Sequence, residues 1–245
     1  MRRVAQYRLE GIANFRDFGG VACRGGHLAA GRLFRSGHLA AATPDDVAAL
    51  DALGIATIID LRRPGERRKD KTPSALAGRV VTGDEDDQAE APYLEFLRGD
   101  DTSDAAVERF LLDYYRRAPF EPRLMALFAR AFAALEAGPV LIHCTAGKDR
   151  TGILAALILL AADVHPDDVM ADFLATNAAM LTPANMERAA AQARRLLGRE
   201  PGPAIVRALL GVEAQYLAAA LDAIRARAGS LAAYLARLEP PPAQG

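Results

Sequence analysis

Two short runs of β-branched and aliphatic residues stand out along the chain: IATIIDL (Ile55 to Leu61) and PVLIH (Pro139 to His143). Runs of this length predict strands buried on both faces, as in a parallel sheet. GRVVT (residues 78 to 82) predicts another short strand. Elsewhere the apolar positions recur every three or four residues, the helical period. TPDDVAALDALG has Thr43 as N-cap, Pro44 at the first helical position, Asp45 and Asp46 in the first turn and Gly54 as the stop. SDAAVERFLLDYYRRAP and PRLMALFARAFAALEAG carry the same period, with Gly138 closing the second.

ILAALILLAADV is apolar all round, which predicts a central helix with no solvent face. From His165 to Leu238 the pattern is helical throughout, and EPPPAQG (residues 239 to 245) reads as a frayed tail. Ahead of these elements, the Gly-rich first forty residues read as a hairpin or loops, RRPGERRKDK as a charged stretch after a strand, and DEDDQAEAP as a mobile surface loop. Strands mixed with helices and then a helical C-terminal third predict an α/β fold: a small, mostly parallel central sheet flanked by helices. No repeat or linker divides the chain, so residues 1 to 245 are expected to form one domain.

Composition narrows the function classes. Half of the residues are apolar (51%), a quarter are charged, and the net charge is -1 with basic residues scattered among acidic ones. This is not the footprint of a nucleic-acid binder. The longest apolar run, Ile153 to Ala162, is half of what a bilayer span needs, so no stable membrane insertion is expected. The N-terminus has no apolar core after Arg2 and Arg3; the expected location is cytoplasmic, with export by a signal-less route left open. Two cysteines, no C-x-x-C and four histidines provide no zinc-ligand spacing, so neither a metal nor another cofactor is expected.

The chemistry concentrates in HCTAGKDRTG, residues 143 to 152, a polar decapeptide between the PVLIH strand and the apolar helix. A strand, a tight turn and a helix N-terminus aim backbone N–H groups and the positive end of a helix dipole at one point, which attracts an anion. Thr145, Ala146, Gly147, Lys148, Arg150 and Thr151 are the expected phosphate-binding positions. Gly147 lets the turn bend, and Arg150 supplies a planar fork of donors for two phosphate oxygens. The same field favours the thiolate of Cys144, the expected nucleophile on phosphorus. Asp149 is the nearest carboxyl group to protonate the leaving oxygen, with helix capping as its alternative role. Thr151 is expected to donate its hydroxyl to the sulfur, Lys148 to add a flexible charge at the rim, and His143 to stay neutral as support for the loop.

Cys144, five intervening residues, Arg150 and Thr151 resemble the signature of the Cys-dependent protein tyrosine phosphatases. The whole decapeptide is similar to their atypical bacterial and fungal branch, which includes dual- and triple-specificity enzymes. NFRDFGG (Asn14 to Gly20), RLFRSGHL (Arg32 to Leu39) and IIDLR (Ile58 to Arg62) resemble segments that precede the loop in that branch, and VEAQYLAAALDAI with GSLAAYL resembles its last helices. The resemblance implies a tyrosine-phosphatase-like fold, metal-independent hydrolysis through a cysteinyl-phosphate, a phosphotyrosine protein or a phosphoinositide as substrate, and inorganic phosphate as product. It also implies a departure, because most tyrosine phosphatases carry their acid in a Trp-Pro-Asp loop and this chain has no Trp. Asp149 takes that role in the branch it resembles, and Asp113, placed like the separate acid of dual-specificity enzymes, is the second candidate.

Asp60 and Arg62, at a strand end, are expected either to order the cleft edge or to form an ordinary ion pair; Asn14, Arg16 and Asp17 carry no role derivable from the sequence. The helices before the loop, with residues 84 to 104, are candidates for a lid. A nucleotide-binding Walker loop is excluded, since Ile142 stands where its first Gly belongs and Asp149 where Ser or Thr should follow Lys148. A silent phospho-binding module and a rhodanese-like sulfurtransferase remain the competing readings. Silent relatives usually lose the Cys, Asp or Arg, and a sulfurtransferase has no need of a proton donor. Nothing around Cys23 activates its thiol.

Overall fold

A computed structural model describes residues 9–83, 92–99 and 101–238. In chain order it contains β1 (Arg16–Asp17), β2 (Val21–Cys23), β3 (Gly26–Leu28), β4 (Leu33–Ser36), α1 (Pro44–Ala52), β5 (Thr57–Asp60), α2 (Pro64–Lys69), α3 (Ser74–Ala77), β6 (Val80–Val81), α4 (Pro92–Leu97), α5 (Asp104–Arg117), α6 (Pro122–Ala137), β7 (Val140–His143), α7 (Asp149–Ala161), α8 (Pro166–Met180), α9 (Pro183–Leu197), α10 (Pro203–Leu210), α11 (Ala214–Ala228) and α12 (Leu231–Ala236). The acidic run at 84–91 and the tail at 239–245, where a loop and a frayed end are expected, lie outside the described residues.

The sheet has the order β1-β4-β7-β5-β6 and is parallel except for β1, an antiparallel edge strand. This agrees with the α/β arrangement expected from the mixed strand and helix periods. Both β4 and β5 pair with β7 in register, so that Ser36 and Asp60 lie opposite His143 and three strands end together where the decapeptide begins. In an open parallel sheet that carboxyl edge is where ligands bind.

β7 is buried along its whole length, and the next helix, α7, is buried at every position from Thr151 to Leu159. Each Leu or Ile placed there removes apolar surface worth about 1.5–3 kcal/mol from water. α7 starts at Asp149, earlier than its apolar run, so the last four residues of the decapeptide form its first turn.

Two expectations change. RRPGERRKDK contains a helix, α2, with Pro64 in its first turn and the Glu66 carboxylate accepting from the Arg63 N–H at 2.8 Å. LFRS (Leu33–Ser36) is a fully buried strand of the main sheet, whereas the first forty residues were expected to hold only a hairpin or loops; the hairpin itself is β2–β3.

Candidate active site

The loop from Cys144 to Lys148 is held through its carbonyl groups. Asn14 Nδ2 donates to the carbonyls of Ala146 (3.1 Å) and Gly147 (2.9 Å), and Arg35 Nη2 donates to that of Gly147 (2.9 Å). The His38 N–H reaches the Thr145 carbonyl at 3.0 Å, and His143 Nδ1 lies 3.2 Å from the Cys144 carbonyl. A trans peptide is planar, so each carbonyl tied outward turns the following N–H the other way, toward the loop's interior. Gly147 has φ of +68°, and a Cβ there would land on the Ser36 carbonyl, so the loop folds onto the end of β4 only with glycine at this position. Among the described residues no side chain caps α7, whose N-cap is Lys148, and its first-turn N–H groups therefore remain available to an anion.

Cys144 lies on the floor of a cleft of about 510 Å³ and is only 2% exposed. Arg150 reaches back across the loop to Glu66 of α2 in a two-pronged pair, Nη1 to Oε2 at 2.6 Å and Nη2 to Oε1 at 2.7 Å. Nη1 also donates to the Leu61 carbonyl at 3.1 Å and Nη2 weakly to Thr145 Oγ1 at 3.4 Å. Of the guanidinium's five N–H donors these bonds use four, leaving Nε–H over among the described residues, while the long Thr145 contact exchanges readily. Burial opposes ionisation of Glu66, but the charge and hydrogen bonds of Arg150, the Thr145 hydroxyl and the Arg63 N–H hold its carboxyl well below the usual range. Burial likewise opposes the charge of Arg150, and Glu66 outweighs it. Glu66 thus sets the plane of the guanidinium and keeps it charged, a role invisible within the decapeptide.

Lys148 is buried and not a flexible rim charge: Nζ donates to Asp149 Oδ1 at 2.8 Å. The same Oδ1 accepts from the Tyr115 hydroxyl of α5 at 2.7 Å. Thr151 Oγ1 is buried without a hydrogen-bond partner among the described residues, which leaves its hydroxyl free for a ligand or for the sulfur. Asp113, the second candidate acid, is exposed, pairs with Arg117 at 2.9 Å and is not among the residues that line the cleft. It sits two residues from Tyr115, and successive helix positions differ by roughly 100°, so the two residues face different ways.

The remaining sequence candidates do not line the cleft. Asp60 and Arg62 form a buried ion pair at 2.7 Å and do not edge the cleft. Burial works against the Asp60 charge, yet His143 and Arg62 keep its carboxyl low; burial keeps His143 neutral by lowering its pKa. Arg16 Nε and Arg35 Nη1 both meet Asp172 of α8, at 3.0 and 2.6 Å. Arg16 Nη1 also donates to Asn14 Oδ1 at 2.5 Å, orienting the amide that holds the loop. Asp17 accepts from the Gly19 N–H at 2.8 Å and from the Gly31 N–H, shaping the turns around the hairpin. Cys23 is half-buried on β2 and forms no part of the cleft lining.

One wall of the cleft is apolar, with Tyr93 and Leu94 of α4, Phe110 and Tyr114 of α5 and Leu209 of α10. The lining also takes Arg68, Lys69 and Glu66 from α2, Arg63 and Asp70 from its two ends, and Glu121 from just before α6. The described part of the segment considered as a lid is therefore a wall of the cleft. Among the described residues no group of three or more His, Cys, Asp or Glu side chains is placed to hold a metal ion, and no single helix is long and apolar enough to cross a membrane.

The chain is similar to known phosphatases. The chain is 32% identical over 262 residues to the triple specificity protein phosphatase PtpB of Mycobacterium tuberculosis, covering 95% of this chain and 93% of that one. It is 36% identical over 231 residues to a Cupriavidus necator protein named as a tyrosine-protein phosphatase, covering 91% and 80% of the two chains. Among solved structures it aligns with kinase associated phosphatase at a TM-score of 0.39 and 15% identity, over 79% of this chain and 98% of that one. A family model described as the tyrosine phosphatase family matches residues 7–240, almost the whole length. The protein whose loop joins Cys144 to Arg150 at the carboxyl edge of a parallel sheet belongs to the tyrosine phosphatase family.

Proposed function

We propose that this phosphatase hydrolyses phosphotyrosine in proteins through a cysteinyl-phosphate, with Cys144, Asp149 and Arg150 as its catalytic residues. The observation that carries the substrate assignment is the depth of Cys144 at the foot of an aromatic wall formed by Tyr93, Phe110 and Tyr114. An aryl phosphate places a flat ring against that wall and its phosphorus at the floor. The loop N–H groups and Arg150 hold the three non-bridging oxygens and stabilise the charge that builds on them.

In the first step the Cys144 thiolate attacks phosphorus; the S–P bond forms as the P–O ester bond breaks, and the departing oxygen takes a proton from Asp149. In the second, water attacks the phosphocysteine, the Asp149 carboxylate accepts its proton, and the S–P bond breaks to release inorganic phosphate. The unpartnered Thr151 hydroxyl is suited to donate to the departing sulfur. A phosphoinositide is the second reading, favoured by the basic side chains that α2 contributes to the cleft lining; the triple specificity named for one relative also supports a broad substrate range.

Purified protein should hydrolyse para-nitrophenyl phosphate in the presence of EDTA, and Cys144→Ser should abolish turnover. Absence of turnover in the native protein between pH 5 and 8 would sink the catalytic reading. Rates on phosphotyrosine peptide, phosphoserine peptide and phosphoinositide then order the substrates, with the phosphotyrosine peptide expected to be fastest.

A further inference from the structure

We propose that Tyr115 is a positioning residue for proton donation: its hydroxyl, together with the Lys148 ammonium, occupies Oδ1 of Asp149 and leaves Oδ2 as the oxygen that carries and delivers the proton. The inference rests on the reading in which Asp149 is the general acid.

A carboxylic acid can be protonated on either oxygen, and only one serves a given leaving group. Here Oδ1 accepts from Tyr115 Oη at 2.7 Å and from Lys148 Nζ at 2.8 Å. A proton on Oδ1 would confront two donors and displace at least one of them, whereas a proton on Oδ2 keeps both bonds. Tyr115 is fully buried; burial, the Asp149 charge and their hydrogen bond all raise its hydroxyl well above the usual phenol value. It therefore remains a neutral donor throughout the working range and exchanges no proton itself. Nor can it swing away, because its ring stands edge-on to Phe173 at 6.1 Å and against Tyr216 at 5.5 Å. Lys148 is likewise fixed by burial. When the P–O bond breaks, its electron pair goes to the departing oxygen, which takes the proton from Oδ2; the charge left on the carboxylate is met at Oδ1 by donors already in place, so nothing has to reorganise. In the second step Oδ2 recovers a proton from the attacking water.

Tyr115→Phe removes the hydroxyl and keeps the ring. The variant should lose about tenfold or more in kcat on phenyl phosphate, a poor leaving group, a part of the roughly 10²–10⁴-fold that a general acid contributes. On 2,4-dinitrophenyl phosphate, whose leaving group needs no proton, kcat should stay within about twofold. KM and the inhibition constant of inorganic phosphate should stay unchanged on both. In an Asp149→Asn background Tyr115→Phe should cause no further loss, the mark of two residues acting as a unit. Equal losses on the two esters, no loss at all, or a further loss on top of Asp149→Asn overturns the proposal. If Asp149→Asn itself slows both esters alike, the acid assignment fails first, and that result is distinct from failure of Tyr115→Phe alone. A measurement independent of that variant's folding is the Tyr115 hydroxyl proton resonance of the native protein. It should lie downfield, exchange slowly and move upfield in Asp149→Asn; a resonance unmoved by that substitution also overturns the assignment.

Discussion

Gly147 carries a steric demand that no other residue type meets. Its φ of +68° lies in the left-handed region, and the space a Cβ would occupy belongs to the backbone of Ser36. Unlike a flexible side chain, the end of β4 cannot move aside without shifting the sheet register that aligns Ser36 with His143. Gly147→Ala should therefore cost about 2 kcal/mol or more through backbone strain alone. In a domain of this size that lowers Tm by roughly 4–8 °C, and thermal melts read it directly. Phosphate affinity should fall as well, because the loop must lift from β4 and its N–H groups no longer share one centre. The residues legible beforehand were those for which local spacing suffices: Cys144, Asp149 and Arg150 fall within seven consecutive positions. Glu66 and Tyr115 were not legible, because their bonds to Arg150 and Asp149 span 84 and 34 positions and nothing local marks them. Lys148 was misplaced for a related reason, since a lysine beside a turn reads as solvated until a carboxylate and a buried pocket are known to receive it.

At the scale of elements, the loop depends on contacts that join β1, β4 and α8 behind it. Arg16, Arg35 and Asp172 form a buried cluster of two cations and one carboxylate, and Arg35 extends from it to the Gly147 carbonyl. Burial and the Arg35 charge lower Arg16 to about 10, so it remains charged at neutral pH. The excess positive charge sits directly behind a loop that must hold a dianion, where it adds to the helix dipole. Gly152 permits this arrangement, because a Cβ there would come within 2.8 Å of the Phe173 ring and force α8, with Asp172, away from α7. Asp172→Asn strands two buried guanidinium groups and should destabilise the protein by about 3–5 kcal/mol, measurable as a shift in urea midpoint. Replacing Arg35 by Met in that variant should recover part of the loss, since an uncompensated buried charge is removed; an additive further loss would refute the pairing. The elements that escaped the hydrophobic pattern have physical reasons for doing so. β4 buries Arg35 and Ser36, so its pattern lacks the apolar run that reveals β5 and β7. In α2 the first-turn proline and the Glu66 carboxylate that accepts from the Arg63 N–H lie inside a run of charges that reads as solvated loop.

Across the whole molecule, the groups that support the site share one response to acid. Asp60, Glu66 and Asp172 are each opposed by burial yet held below their ordinary carboxylate values by arginine partners or, for Asp60, by His143 as well as Arg62. His38 and His143 are lowered below the ordinary 6.5, in both cases chiefly by burial. For all five the unfolded chain binds a proton at a higher pH than the folded one, so the sign is common to them: stability rises with pH and is lost as pH falls. Two stages follow. As pH drops below about 6.5, the unfolded state gains protons on the histidines while the folded state resists, and stability declines gently. Below the ordinary carboxylate values, 3.8 for Asp and 4.5 for Glu, the unfolded chain also protonates its acids while the folded pairs hold, and the decline steepens. Urea midpoints measured from pH 8 to pH 3 should trace both stages, and substitutions should separate them. His143→Asn should flatten the upper stage to the share left by His38 and also weaken the lower one, because Asp60 loses one of the two side chains that hold it low. Glu66→Gln should reduce the lower slope without touching the upper, and it should also raise KM for aryl phosphates, because Arg150 loses the carboxylate that sets its plane. A stability that stayed flat from pH 7 to pH 4 would mean that these side chains are not buried and paired as described, and the loop would then need some other support for its thiolate and guanidinium.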